Sequence, residues 1–210
     1  SDFSLSDDLM KTFDKEKIKA EKGWEGKFII TYVGAHGVAN HLIQLIETAE
    51  LLKGYDDILI LSIGAGMQRN MLIEEANKRG LNNILFHPPV SKSEVFQYIL
   101  ASDLGTSVLK KVDTFKTIYS NKTFDYMACK KPILMAIDGV SRELIETAKA
   151  GVFVEPENPK DFANKIIFYY ENRNIITEHG ENGYSFAKQN FDRKVLAEKY
   201  LFEIERLIKK

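Results

Sequence analysis

Short apolar runs, rich in β-branched and aromatic residues, alternate along the chain with segments of helical periodicity. The first two runs, Phe28–Val33 and Ile58–Ile63, are unbroken and each stops at a glycine, which is typical of strands buried on both faces. Shorter runs predict further strands at 83–86, 103–108, 133–137 and 151–154. The pattern therefore predicts six strands that are separated by helices.

The segments between these strands place apolar residues three and four positions apart, as on one face of a helix. Such a face is formed after the first strand by Val38, Leu42, Leu45, Ile46, Ala49 and Leu52. A second helix is predicted at 67–78 because Gly80 stops it, and another begins from Ser91 or Ser93 as its N-cap. The same reasoning predicts helices at 122–128 and from an N-cap at Ser141 to Ala148.

The remainder of the chain is predicted to be helical. Its last stretch carries an apolar face that is formed by Leu196, Tyr200, Ile204 and Leu207. Strands that alternate with helices imply a parallel sheet covered on both faces, and the right-handed crossover rule makes it doubly wound. The fold class is therefore α/β, a Rossmann-like six-stranded sheet, whose ligands bind beyond the carboxyl ends of the strands at the switch point.

Residues 1–27 are polar and charged, with a short exposed helix expected at 14–22. We interpret them as a linker and lead-in, and residues 28–210 as one domain. The chain does not begin with Met, and we expect it to be a piece of a longer polypeptide.

Composition excludes several classes of protein. Of the 210 residues 44% are hydrophobic and 28% charged, which is ordinary for a globular domain. The net charge of −1 argues against a whole-domain electrostatic grip on nucleic acid or an anionic membrane. The single cysteine, Cys129, excludes an intrachain disulfide and a cysteine-based metal site, so we expect a cytoplasmic protein. No apolar run approaches the roughly 20 residues that span a bilayer.

Glycines follow the first two strands, where a ligand would bind. In the segment 34–37, Gly34 and Gly37 let the backbone approach a phosphate and His36 lies between them, but any tight turn also favours glycine. We weigh the two interpretations equally. After the second strand, Gly64 and Gly66 favour a plain tight turn.

The third strand ends in His87, followed by two prolines and Val90. Pro88 and Pro89 make a stiff loop with few hydrogen-bond donors, whose free backbone groups are suited to reading the edge of a base. From sequence alone a rigid connector is the favoured interpretation. A metal role for His87 is disfavoured because no second ligand follows at a suitable spacing.

The segment 120–128 carries the most chemical information. With Asn121 near the start of a helix, Lys122 falls in the first turn, where the helix dipole disfavours a cation unless an anion binds there. Asp125 lies on the same face, and its carboxylate is suited to accepting hydrogen bonds from ribose hydroxyls. Periodicity alone favours a surface ion pair.

The segment 121–134, Asn-Lys-Thr-Phe-Asp-Tyr-Met-Ala-Cys-Lys-Lys-Pro-Ile-Leu, resembles the donor-site segment of the GT-B-fold glycosyltransferases of family 4, also called group 1. The match continues through residues 138–145 and 150–154 to Pro156, Asn158 and Pro159, and it includes Gly64 and Gly66. It spans residues 28 to about 207 in order and at the expected spacing.

The resemblance implies that the chain is the nucleotide-sugar-binding half of a GT-B enzyme. Lys122 would hold the donor diphosphate and serve as the catalytic charge stabiliser, with Asn121 beside it and Asp125 on the ribose. The nucleobase, expected to be uracil, would be framed by His87, Pro89 and Val90. The phosphates or sugar would be contacted by Gly34, His36, Gly37 and Gly64.

The reaction that the resemblance implies is retaining transfer of a hexose from a nucleotide sugar, without metal or other cofactor. Members of the family carry an acceptor domain before this one, which we expect to be the missing partner and to supply any attachment to the inner face of a membrane. The fragment alone is expected to be inactive.

This sequence departs from the family pattern at three places. Thr117 stands where many members have an acid that touches the sugar, the loop 35–40 lacks the usual Arg and Lys, and Asp125 replaces a glutamate. These changes fit a subgroup that makes bacterial surface polysaccharides. Two alternatives stay open: a nucleotide-sugar epimerase of the same architecture, and a non-catalytic α/β nucleotide-binding module of receiver or flavodoxin type.

Overall fold

A computed structural model of the protein describes residues 3–208, without the side chains of residues 194, 199, 202, 203, 205, 207 and 208. Its six strands are β1 Phe28–Val33, β2 Ile58–Ile63, β3 Ile84–His87, β4 Leu104–Val108, β5 Ile133–Ala136 and β6 Gly151–Phe153. Its α-helices are α1 Phe3–Thr12, α2 Lys15–Lys22, α3 Ile43–Leu51, α4 Arg69–Lys78, α5 Lys92–Ala101, α6 Asn121–Ala128, α7 Val140–Thr147, α8 Pro159–Glu171, α9 Arg173–Phe191 and α10 Arg193–Ile208.

All six strands form one parallel sheet in the order β3-β2-β1-β4-β5-β6. Phe28 pairs with Ile58 across β1 and β2, and Ile30 pairs with Leu104 across β1 and β4. The chain leaves β3 at one edge and returns to the other side of β1, which places the switch point between β1 and β4. The predicted doubly wound fold is confirmed.

Helices cover both faces of the sheet because its central strands are buried on both sides. On one face, α3, α4 and α8 pack with residues such as Ile30 and Ile60 into a core cluster. On the other, α5, α6, α7 and α9 enclose a second cluster that includes Met127 and Ile133. The carboxyl ends of the strands thus lie between the two helical layers.

The helix starts follow the predicted chemistry in part. Ser91 caps α5 through a capping box with Glu94, as one of the two predicted serines. The predicted cap at Ser141 is wrong: α7 begins after Gly139, and the Ser141 hydroxyl donates to the Ile118 carbonyl at 2.8 Å. Ser141 therefore ties the first turn of α7 to the segment that precedes α6.

Residues 3–27 are more structured than the sequence suggested. The sequence did not predict helix α1, whose Phe3 is buried in the second cluster. The predicted helix at 14–22 is present as α2, but Lys19 on it is buried. The buried carboxylate of Asp103, just before β4, holds the Lys15 ammonium at 2.7 Å and the backbone N–H of Ile29 at 2.8 Å. Both helices thus pack onto the domain.

The C-terminal helix α10 exposes Leu196 and Tyr200, two residues of the predicted apolar face. Ile204 is partly buried, and the side chain of Leu207 lies outside the described residues. Among residues 3–208, no helix is both long and apolar enough to cross a membrane.

Candidate functional site

Three loops meet at the carboxyl ends of β1, β2 and β3, and backbone hydrogen bonds join them. The N–H of Gly34 donates to the carbonyl of Ile63 at 2.9 Å, and the N–H of Gly64 donates to that of His87 at 3.0 Å. The N–H of His36 donates to Ala65 at 2.8 Å. The loops therefore form one rigid rim at the place where a doubly wound sheet binds its ligands.

Steric crowding and backbone conformation explain why two positions of this rim are glycine. Both Gly34 and Gly64 have φ near +150°, a region that side chains disfavour. A Cβ on Gly64 would lie 1.9 Å from the Gly34 carbonyl oxygen, and one on Gly34 would lie 2.9 Å from Cε of Lys122. Close packing of one loop on the next, rather than a plain turn, explains Gly64.

An open cavity of about 180 Å³ lies within this rim. It brings together four of the predicted site residues, Gly34, Gly64, Pro89 and Val90. The rest of its lining is apolar or backbone and is formed by Val33, Ala35, Ile63, Ala65 and Val95. An open cavity with an apolar lining and backbone groups is suited to a planar ring such as a nucleobase.

Helix α6 is fixed at the crevice between β1 and β4 by Tyr126. The buried phenol accepts a hydrogen bond from the Val33 N–H at 3.0 Å and donates one to the Thr106 carbonyl at 3.1 Å. Gly105 makes room for this ring, because a Cβ there would lie 2.3 Å from it. The first turn of α6 is thereby aimed at the β1 loop.

Lys122 lies in that first turn, as the sequence predicted. Its ammonium stands 4.7 Å from the centre of the Tyr32 ring, and its side chain touches Gly34. Within the described part of the chain it forms no ion pair, and burial lowers its pKa to about 8. A partly buried cation without an anion thus stands at the switch point.

The helix terminus beside Lys122 lacks a side-chain cap. The N-cap residue is Ser120, but its hydroxyl turns inward to Ser107, and the first turn contains no acidic residue. Asn121 opens the helix and is exposed. Uncapped amides and a lysine together attract an anion.

Asp125 follows one turn later on α6 and is mostly buried, with 17% of its side chain exposed. Its Oδ2 lies 2.6 Å from the ammonium of Lys92, the first residue of α5. Lys92 in turn follows closely on Pro89 and Val90, which line the 180 Å³ cavity. Lys122 and Asp125 thus lie three positions apart on α6, with Lys122 against Gly34 and Asp125 against Lys92.

The side chain of His36 points away from the cleft, and a contact of the residue with phosphate or sugar stays a prediction. The ring is fully buried, its Nε2 lies 2.9 Å from the Ser62 hydroxyl, and it packs near Tyr32 and Phe86. Burial, with the charge of Arg69, lowers its pKa to about 4. Since a buried neutral ring cannot touch a ligand in the cleft, His36 shapes the loop from beneath.

Both ring nitrogens of His87 are engaged within the protein. Nδ1 donates to the carbonyl of Pro88 at 2.8 Å, so Nε2 accepts from the Tyr98 hydroxyl at 2.9 Å. Tyr98 in turn accepts from the ammonium of Lys22 at 3.2 Å. His87 thus orients the loop 87–90, and Pro89 and Val90 supply its surface in the cavity.

Gly37 starts a short 3₁₀ helix, Val38–Asn40, and no crowding requires a glycine there. The predicted helix that begins at Val38 therefore starts later, at Ile43. Gly37 is only partly exposed, and a contact with phosphate at this position stays a prediction.

A second cavity, of about 240 Å³, lies beyond β4, β5 and β6. Apolar residues, three lysines and three carboxylates line it: Lys110, Lys111, Val112, Asp113, Phe115, Lys116, Ile137, Asp138, Glu155 and Pro156. The N–H of Lys110 donates to the Ala39 carbonyl at 2.9 Å, which sets this cavity beside the β1 loop. Thr117 is exposed and bonds only to Thr114 within the described residues.

The sequence did not indicate that Lys92, Tyr32, Tyr98 and the lysines of the second cavity lie at or beside the site. Lys110 and Lys111 directly follow a predicted strand, which is a signal that was available. Among residues 3–208, no group of three or more His, Cys, Asp and Glu side chains is arranged to hold a metal ion.

Comparison with known proteins adds independent observations. The family model described as glycosyl transferases group 1 matches residues 14–186. An uncharacterized glycosyltransferase of Methanocaldococcus jannaschii is 24% identical over 197 residues, covering 92% of this chain and 49% of the relative. The chain thus spans about half the length of that relative.

Solved structures share the fold. Anabaena HepE, determined in complex with UDP, superposes with a TM-score of 0.84 at 18% identity over 98% of this chain and 56% of its own. The C-terminal domain of a group 1 glycosyltransferase from Francisella tularensis superposes with a TM-score of 0.71 at 20% identity, covering 86% of this chain and 94% of that domain.

Proposed function

The chain belongs to the group 1 glycosyltransferases, and from that premise we propose that it binds the nucleotide-sugar donor of such an enzyme. The observation that carries the proposal is the unpaired ammonium of Lys122 at the uncapped start of α6. A diphosphate placed there would receive a charge-assisted hydrogen bond from Lys122 and the free amides of the helix.

The donor is proposed to be linked to UDP. The 180 Å³ cavity beside Pro89 and Val90 is suited to one planar base, and Asp125 on α6 is proposed to accept hydrogen bonds from the ribose. Support also comes from Anabaena HepE, which was determined with UDP and with UDP-glucose. No metal or other cofactor is part of the proposal.

Lys122 is proposed as the charge stabiliser of the reaction. When the bond between the sugar and the diphosphate breaks, negative charge grows on the leaving phosphate oxygen, and a fixed ammonium beside it lowers the barrier. The Tyr32 ring and Gly34 hold that ammonium in place. The group acts without gaining or losing a proton.

The transferred sugar is proposed to be a hexose whose configuration is retained, bound between the diphosphate and the 240 Å³ cavity. Phe115 offers an apolar face there, and Asp138 and Glu155 offer hydroxyl-binding carboxylates. The hexose is proposed to be transferred during the synthesis of a bacterial surface polysaccharide.

The acceptor is proposed to bind a further domain of the same enzyme, because the chain spans about half of its relatives. Residues 28–210 would then be the donor domain, and the chain alone would bind UDP without transferring sugar.

Thermal unfolding with and without UDP tests this function. At a hundred times its Kd, UDP is expected to raise the Tm by about 5–10 °C. Lys122→Ala should lose most of this shift, whereas the exposed Lys78→Ala on α4, far from the site, should keep it. The absence of a shift with saturating UDP, GDP and ADP would contradict the proposal.

A further inference from the structure

Lys92 is the first residue of α5 and lies between the loop 87–90 and α6. Its helix start is fixed by the capping box of Ser91 and Glu94, and its ammonium lies 5.0 Å from the centre of the Phe96 ring. The ammonium reaches Asp125, which is 33 positions away in sequence, at 2.6 Å. Two different elements therefore hold this pair together.

The stability of the fold does not account for this arrangement. About half of the Lys92 side chain is exposed, and ion pairs of this kind contribute little to folding. A lysine in the first turn of a helix is disfavoured by the helix dipole, as at Lys122 on α6. The helices α5 and α6 thus each carry a lysine in the first turn, and the lysine of α5 reaches a carboxylate of α6.

Without Lys92, the carboxylate of Asp125 would disfavour binding of a diphosphate nearby. Its carboxylate lies one helical turn from Lys122, and a second negative charge there repels the phosphates that Lys122 attracts. The ammonium of Lys92 neutralises that carboxylate and leaves hydrogen-bonding groups of both kinds side by side.

On the basis of the proposed function, we propose that Lys92 and Asp125 bind the ribose as a pair. The carboxylate accepts a hydrogen bond from a ribose hydroxyl, and the ammonium donates one to a hydroxyl oxygen. The pair thereby selects a ribonucleotide over a 2′-deoxyribonucleotide, and Lys92 keeps the site attractive to the diphosphate.

Isothermal titration of UDP and 2′-deoxy-UDP at one fixed salt concentration tests the pair. The unaltered chain is expected to bind UDP about tenfold more tightly than 2′-deoxy-UDP, as loss of a charge-assisted hydrogen bond implies. Lys92→Met should weaken UDP severalfold and bring this ratio close to one. Lys92→Arg should keep the ratio, and Lys78→Met should leave both affinities unchanged.

The double variant Lys92→Met with Asp125→Asn adds a second measurement. If the two residues act together, it should bind UDP no more weakly than the worse of the two single variants. The Tm of Lys92→Met without ligand should match that of the unaltered chain, because about half of the Lys92 side chain is exposed.

The outcomes separate this inference from the function on which it rests. A Lys92→Met variant that weakens UDP and 2′-deoxy-UDP equally, or weakens neither, overturns the ribose pair while UDP binding stands. Failure of the unaltered chain to bind UDP overturns the proposed function and this inference with it.

Discussion

The ammonium of Lys122 lies 4.7 Å from the centre of the Tyr32 ring. A cation over an aromatic face gains roughly 0.5–2 kcal/mol, which offsets part of its desolvation. The offset is incomplete, because burial still lowers the pKa of Lys122 to about 8. A bound diphosphate would offset the rest of the desolvation of the Lys122 ammonium. The affinity for UDP should therefore depend on the charge of Lys122.

UDP affinity is expected to depend on pH through Lys122. The free ammonium loses its proton above about pH 8, and a bound diphosphate raises its pKa, so binding takes up a proton there. Affinity should be full below pH 8 and fall above it, approaching about tenfold per pH unit. Titrations from pH 7 to 9 measure this fall.

Lys122→Arg is the matched variant for that experiment, because its guanidinium stays charged throughout. Its affinity should be nearly constant over the same range. A constant affinity of the unaltered chain would show that Lys122 does not carry the binding charge.

Substitution of the two rim glycines should separate binding from folding. Gly34→Ala strains the backbone by about 1–3 kcal/mol and pushes the flexible end of Lys122 away, so UDP binding should be largely lost. Gly64→Ala meets the backbone of Gly34 at 1.9 Å and should cost more stability. Urea unfolding and UDP titration measure both effects.

Gly54→Ala is the control for this pair, since a Cβ there has open space. It should leave both stability and UDP binding nearly unchanged. Equal UDP affinity in Gly34→Ala and the unaltered chain would argue against contact between this loop and the ligand.

His36 should make the protein sensitive to acid. Its pKa is about 4 when folded and 6.5 when unfolded, so the unfolded chain binds the extra proton between these values. Stability is therefore retained above pH 6.5 and lost as the pH falls towards 4, by up to about 3 kcal/mol at about 1.4 kcal/mol per pKa unit.

Urea unfolding at pH 4.5 and 7.5 checks this expectation. His36→Asn should be less stable at pH 7.5 but lose less stability on acidification. Burial also lowers the pKa of His179, so His179→Asn serves as the comparison. An unchanged acid loss in His36→Asn would refute the assignment.

Asp103 should anchor the lead-in helix α2 to the domain. Asp103→Ala removes the acceptor for the buried Ile29 N–H and the partner of Lys15, and should cost about 1–3 kcal/mol. For a chain of this size the Tm should fall by about 2–10 °C. The exposed Asp56→Ala should not change it, and an equal Tm for both variants would count against the anchor.

The sequence by itself determined the fold and the position of Lys122. The central buried strands are marked by continuous apolar runs, and the start of a helix is marked by the residues next to it. Both signals come from residues that are close together in the sequence. The sheet and the first-turn lysine of α6 were predictable for this reason.

Only the tertiary structure decided which side chains meet. It buried His36 against Ser62, turned Ser141 to a neighbouring loop and brought Lys92 to Asp125. These partners are 23–33 positions apart, on elements that meet only when the sheet is assembled. Periodicity gives the face on which a residue lies but not the residue that faces it.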